Sequence, residues 1–100
     1  MKRYKFKEND DDYYSIDNTK ENRDMFIRMI AEDYADWMAT AHDAYVNQEH
    51  SHEFTKGLFM KSAMGIAKAA SKRNKTVDDL HEYREDMLSR IFRLKKKLGI

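Results

Sequence analysis

The sequence predicts an all-α, α-dominated fold: a three-helix bundle of long helices behind a short N-terminal β-hairpin or arm. Three observations carry that expectation. The chain has 100 residues, no proline and three glycines, whereas an average chain of this length would hold about five prolines. Apolar residues recur at three- and four-residue spacing in three successive stretches, the period of a helix with one buried face. Leu, Ile, Val and Phe number only 18, but the net charge is +1, and seven Met, six Tyr, one Trp and nine Ala add apolar surface. A highly charged chain of that composition would stay unfolded; a neutral one can collapse. The length allows one domain with a modest core.

Residues 1–18 form a separate segment. Tyr4 and Phe6 alternate with charges, Glu8-Asn9-Asp10-Asp11-Asp12 interrupts, and Tyr14 and Ile16 alternate again. Period-two alternation about a polar turn describes either a hairpin or an extended arm pinned by its aromatics. The helical domain then covers 19–100. Its first helix is expected over about 19–47, opened by Asn18 and Glu21 in capping-box spacing. Phe26, Ile30, Tyr34, Trp37, Ala41 and Tyr45 form its apolar stripe, widened by Ile27 and Met38, and Glu32, Asp36 and Asp43 are expected on the opposite face. A polar break from Asn47 to Glu53 ends it.

The second helix is expected over about 53–72. Phe59, Ala63, Ile66 and Ala70 form one line, flanked by Met60, Met64 and Ala67. Gly57, Ser62, Ala63, Gly65, Ala67 and Ala69 are small enough to admit a neighbouring backbone, though each glycine costs about 1 kcal/mol of helix propensity. The third helix is expected over about 77–98, with Thr76 as N-cap and Gly99 as its stop. Val77, Leu80, Arg84, Met87, Ile91, Leu94 and Leu98 follow a 3-4 repeat broken only by Arg84. That is the spacing of a coiled-coil seam, and it predicts a homodimer.

Charge is segregated along the chain. Residues 19–53 carry three basic and eight acidic side chains, and residues 54–76 carry six basic and none acidic. On a helical wheel Lys61, Lys68, Lys72 and Lys75 fall within about 60° of one another, and Arg73 extends the basic stretch. This stripe is a candidate landing surface for an acidic protein or for phosphates. It could equally face Glu32, Asp36 and Asp43 of the first helix, or simply be solvated. The basic residues Arg90, Arg93, Lys95, Lys96 and Lys97 close a helix that opens with Asp78, Asp79, Glu82, Glu85 and Asp86. The helix macrodipole favours both clusters, at about 0.3–1 kcal/mol per well-placed charge.

Several chemistries are disfavoured. There is no cysteine, hence no disulfide, thiolate zinc site or thiol nucleophile. No apolar run approaches the roughly 18–20 residues of a membrane span, and the basic start Met1–Lys7 lacks the apolar stretch of a signal peptide; a cytoplasmic protein without membrane contact is expected. No serine-nucleophile elbow, glycine-rich phosphate loop or dinucleotide fingerprint is present. A helix-turn-helix across Arg73–Thr76 would begin its recognition helix with Val77-Asp78-Asp79, the wrong charge for a phosphate backbone.

Glu32-Asp33-x-x-Asp36 resembles the acidic helix motif with which all-helical nucleoside triphosphate pyrophosphatases bind Mg²⁺. That resemblance implies a second carboxylate set, for which only Asp78, Asp79, Glu82, Glu85 and Asp86 are available, and these also serve the helix N-terminus. Glu49-x-x-His52 and Asp78-x-x-His81 have the spacing of di-iron bundle ligands, His50-x-His52 could hold a divalent ion, and His42-Asp43 is similar to the pair of metal phosphohydrolases. The further ligands that each would need cannot be assigned, so no cofactor and no metal is expected. Met25, Met29 and Tyr13 lie off the main stripes and suit an adaptable contact face.

The expected function is a small non-enzymatic module that binds a protein partner through its basic helical face. Lys61, Lys68, Lys72, Arg73 and Lys75 are the candidate contacts, and Glu32, Asp36 and Asp43 their acidic counterpart. Small size, absence of cysteine and charge segregation are similar to those of phage-encoded inhibitors of host or defence machinery, anti-CRISPR proteins among them. The alternatives are a nonspecific nucleic-acid-binding protein and a Mg²⁺-dependent all-α nucleotide pyrophosphatase.

Overall fold

A computed structural model describes residues 3–7, 13–46 and 49–100, with side chains from Asp17 onward. The expected polar turn at 8–12, residues 47–48 of the expected break, and the side chains of Tyr4, Phe6, Tyr13, Tyr14 and Ile16 lie outside that description. The helical domain is an all-α three-helix bundle: α1 (Lys20–Tyr45), α2 (His52–Arg73) and α3 (Val77–Leu98). Ahead of it β1 (Arg3–Lys7) pairs antiparallel with β2 (Tyr13–Asp17), in the register Arg3↔Asp17 through Lys7↔Tyr13. β1 lies alongside α3, the support that an isolated two-stranded hairpin needs in water.

The helix ends follow from local chemistry, with one correction. Thr19, not Asn18, caps α1: its hydroxyl accepts from the Asn22 backbone N–H at 3.2 Å. Asn18 instead reaches across to α3, where its Oδ1 accepts from the Val77 N–H at 3.1 Å. It thereby satisfies one of the donors that a helix start leaves open. Ser51 caps α2 by accepting from Phe54, and Thr76 caps α3 by accepting from Asp79. Gly99 stops α3 in the left-handed conformation, φ 73°, which glycine adopts without a Cβ clash.

α1 buries two faces rather than one stripe. Phe26 and Ile30 face α3 and are buried with Val77, Leu80, Met87 and Ile91, while Tyr34 and Trp37 are half-buried beside them. Ala31, Ala35 and Ala39 form the second face, also fully buried, and α2 opposes them with Ala63, Ala67 and Ala70. Methyl groups on both sides let the two backbones approach closely. Gly57 and Gly65 take no part in this: a Cβ built on either would meet nothing within 4 Å. Tyr45, at the end of the expected stripe, is exposed, and so is Ile66 of the expected α2 line.

α1 and α3 start together at the Asn18–Val77 bond and run in the same direction, joined in sequence by three contacts. The Phe26 ring meets the His81 ring edge-on at 5.9 Å, Arg84 Nε donates to Asp33 Oδ2 at 2.7 Å, and the Tyr34 and Tyr83 hydroxyls share a 2.8 Å hydrogen bond. Arg84, the one polar interruption of the α3 seam, is thus an intrachain ion-pair partner. Beyond Ile91 the seam is uncovered, with Leu94 and Leu98 exposed. Val46 at the end of α1, Phe54 and Leu58 in the first turns of α2, Phe92 on α3 and Ile100 just past it are exposed at the same end. The radius of gyration, 15.2 Å, exceeds the roughly 13 Å of a compact domain of this length, as befits long helices on a small core.

Candidate functional site

The α2 lysines point away from the core. The buried line of α2 runs through Thr55, Ala63, Ala67 and Ala70, and Lys61, Lys68 and Lys72 lie on the opposite side, all exposed. Among the described residues no ion pair joins them to Glu32, Asp36 or Asp43. The stripe is therefore not the inner half of a charge match between α1 and α2. Phe54 and Leu58 are exposed on the same side, 52% and 64% accessible, so the face mixes cations with apolar groups.

Two of the expected basic residues fall outside this stripe. Arg73 is the last residue of α2, and one residue of helix rotates it about 100° away from Lys72. Lys75 follows the helix and, with Lys20, Arg23 and Asp24, borders a separate cleft of about 400 Å³ near the starts of α1 and α3. Lys20 is already engaged there, donating to Asp24 at 2.9 Å; that hydrogen bond, chiefly, raises its pKa.

The expected acidic counterpart is also redistributed. Glu32 is exposed, but Asp36 and Asp43 turn toward the start of α2 and grip His52 between them. His52 Nε2 lies 2.7 Å from Asp36 Oδ1, and Nδ1 lies 3.1 Å from Asp43 Oδ2. Carboxylates only accept, so the protonated ring, and only that form, can donate from both nitrogens at once. The hydrogen bond to Asp36, then that to Asp43, raises its pKa above the ordinary histidine value. His42 stands 3.7 Å from the other Asp43 oxygen. Spacing along α1 alone put these carboxylates opposite the apolar stripe; the second buried face of α1, its alanines, turns that flank toward α2.

The same contacts separate the carboxylates of the acidic motif. Asp33 pairs with Arg84, Asp36 with His52, and Glu32 faces solvent. Among the described residues no group of three or more His, Asp or Glu side chains is placed so that it could hold a metal ion.

A groove of about 210 Å³ opens between α1 and α3, lined by Tyr34, Trp37, Tyr83, Met87, Ile91 and Leu94, with Asp86 and Arg90 at its edge. Burial, and then the bond to Tyr83, push the Tyr34 phenol up to about 12. The sequence signal for this groove was the α3 seam itself, read as a dimer contact. Met25 is exposed and Met29 half-buried on the outer side of α1.

Fold and surface together define the class: an all-α three-helix bundle with a basic outer face on α2 and an open apolar end. No helix among the described residues is long and apolar enough to cross a membrane. No protein-family model matches the chain, and neither curated proteins nor solved structures give a match.

Proposed function

We propose that the chain is a non-enzymatic binding module that docks on an acidic surface of another protein through the outer face of α2. One observation carries this reading. Lys61, Lys68 and Lys72 stand exposed, with no ion pair to an acidic side chain among the described residues, on the same face as the exposed Phe54 and Leu58. Protein interfaces combine apolar anchors with peripheral charge, whereas a phosphate backbone would engage the lysines and leave the two apolar side chains in water. An inhibitor of host or defence machinery, of the phage-encoded kind, is the role that size and charge segregation suggest. Glu32, exposed on α1, is free for the same partner; Asp36 and Asp43 serve His52 and are withdrawn from the contact set.

The test is a pull-down from source-cell lysate, with and without nuclease and with a high-salt wash, comparing wild type with Lys68→Glu/Lys72→Glu. One stoichiometric protein that survives nuclease and is lost with the double variant supports the reading. Both positions are exposed, so thermal unfolding of the double variant should match wild type. Capture that vanishes with nuclease replaces this function by nucleic-acid binding. Sedimentation equilibrium at tens of micromolar decides the homodimer that the α3 spacing predicts. Such a dimer would have to rest on Leu94 and Leu98, because Val77, Leu80, Met87 and Ile91 are buried within the chain.

A further inference from the structure

The groove between α1 and α3 is a different surface from the α2 face and does not depend on it. Trp37, Met87, Ile91 and Leu94 give it an apolar lining, Asp86 is the one carboxylate at its edge, and Leu94 is 43% exposed at its mouth. Around Leu94 stand Arg90, Arg93 and Lys97, which border an adjoining hollow of about 340 Å³. Residues 87–100 contain five basic side chains and no acidic one. The macrodipole of α3 accounts for cations at its end, but not for an apolar groove running among them.

We infer that this groove docks an acidic amphipathic segment of another protein, which seats one bulky apolar side chain on Trp37 and Leu94 and sets carboxylates on Arg90, Arg93 and Lys97. Size supports a side chain as occupant: about 210 Å³ is below the roughly 300–1,000 Å³ of clefts that enclose drug-sized ligands. Charge selects the flanking groups, since the arginine fork matches a carboxylate in two parallel hydrogen bonds. A second copy fits poorly. A twofold axis near Leu94 would bring Arg90, Arg93 and Lys97 against their own images. Sliding the copy until acid meets base would put Leu94 on the first half of α3, which exposes Glu82, Glu85 and Asp86 and no large apolar residue. A duplex nucleic acid would meet the cations with its phosphates and leave Trp37 and Leu94 uncovered.

A random-peptide display library selected on the full chain tests this directly. The expected winners carry Asp or Glu on both sides of one Leu or Phe. A synthetic winner should shift the emission of Trp37, the only tryptophan of the chain. It should bind Leu94→Glu and Arg93→Glu roughly tenfold or more weakly, the scale of an interface anchor. Both positions are exposed, so thermal unfolding of the variants should match wild type, with Leu94→Ala as a milder second variant. Lys68→Glu/Lys72→Glu should bind the peptide as wild type does, which separates this site from the α2 face. Winners without acidic bias, equal binding to Leu94→Glu, or no enrichment at all would overturn the inference. So would sedimentation showing self-association that Leu94→Glu abolishes.

Discussion

Replacing His52 with glutamine should destabilise the fold in acid and hardly at all in base. His52 is the first residue of α2, and its two ring nitrogens are held by Asp36 and Asp43 of α1 at 2.7 and 3.1 Å. The ring is 37% exposed, so solvent screens both contacts, and each carries the about 0.2–1 kcal/mol of a surface ion pair. Together they contribute about 0.5–1.5 kcal/mol, enough to move the melting temperature by several degrees in a domain of this size. Because the folded state raises the His52 pKa, this stability is complete below the unfolded value near 6.5. It is lost as pH climbs through the raised folded value. His81 acts in the opposite sense: burial lowers its pKa, so its contribution is present above about 6.5 and fades as pH falls below it. The wild-type curve alone therefore mixes two opposing slopes. The difference between wild type and His52→Gln isolates the first. Urea unfolding followed by circular dichroism at about pH 5.5 and about pH 8.5, above the ordinary carboxylate range, measures it. A difference equal at both pH values, or larger in base, would refute the doubly bonded imidazolium.

Two other perturbations test the packing of α2. Gly57→Ala and Gly65→Ala should each raise stability by about 0.5–1 kcal/mol, because a Cβ at either position meets nothing within 4 Å; the urea midpoint reads the gain. Ala67→Leu should cost about 1–3 kcal/mol by overpacking, since Ala67 is wholly buried in the close α1–α2 contact; thermal unfolding reads the loss, and an unchanged midpoint would place that contact elsewhere.

Much of the fold was legible in the sequence because it is fixed locally. The absence of proline, the 3.6-residue periodicity, and Thr76 and Gly99 at the ends of α3 depend on neighbours within a turn or two. They gave three helices with limits within two residues of those observed. The candidate site was less legible. The lysine stripe on α2 stands where the helical wheel puts it, because a solvated face needs only the helix beneath it. Lys75 left the stripe because α2 ends at Arg73, and Arg73 itself is rotated about 100° from Lys72.

What only the tertiary structure decided is which partner each polar or small residue meets. Alanine has no strong periodic signal, so the second buried face of α1 was hidden beside its large-residue stripe. That face is what turns Asp36 and Asp43 onto His52 across the 47–51 connection. Asn18 accepts from the first N–H of a helix that begins 59 residues later, and Arg84, a flaw in the seam when read along the chain, is matched by Asp33 from α1. The seam ends at Ile91 as an internal contact because α1 covers α3 only that far, and it leaves Leu94 open among cations. Periodicity specifies that a helix has an apolar face; the packing of the neighbouring helices specifies how much of that face is covered.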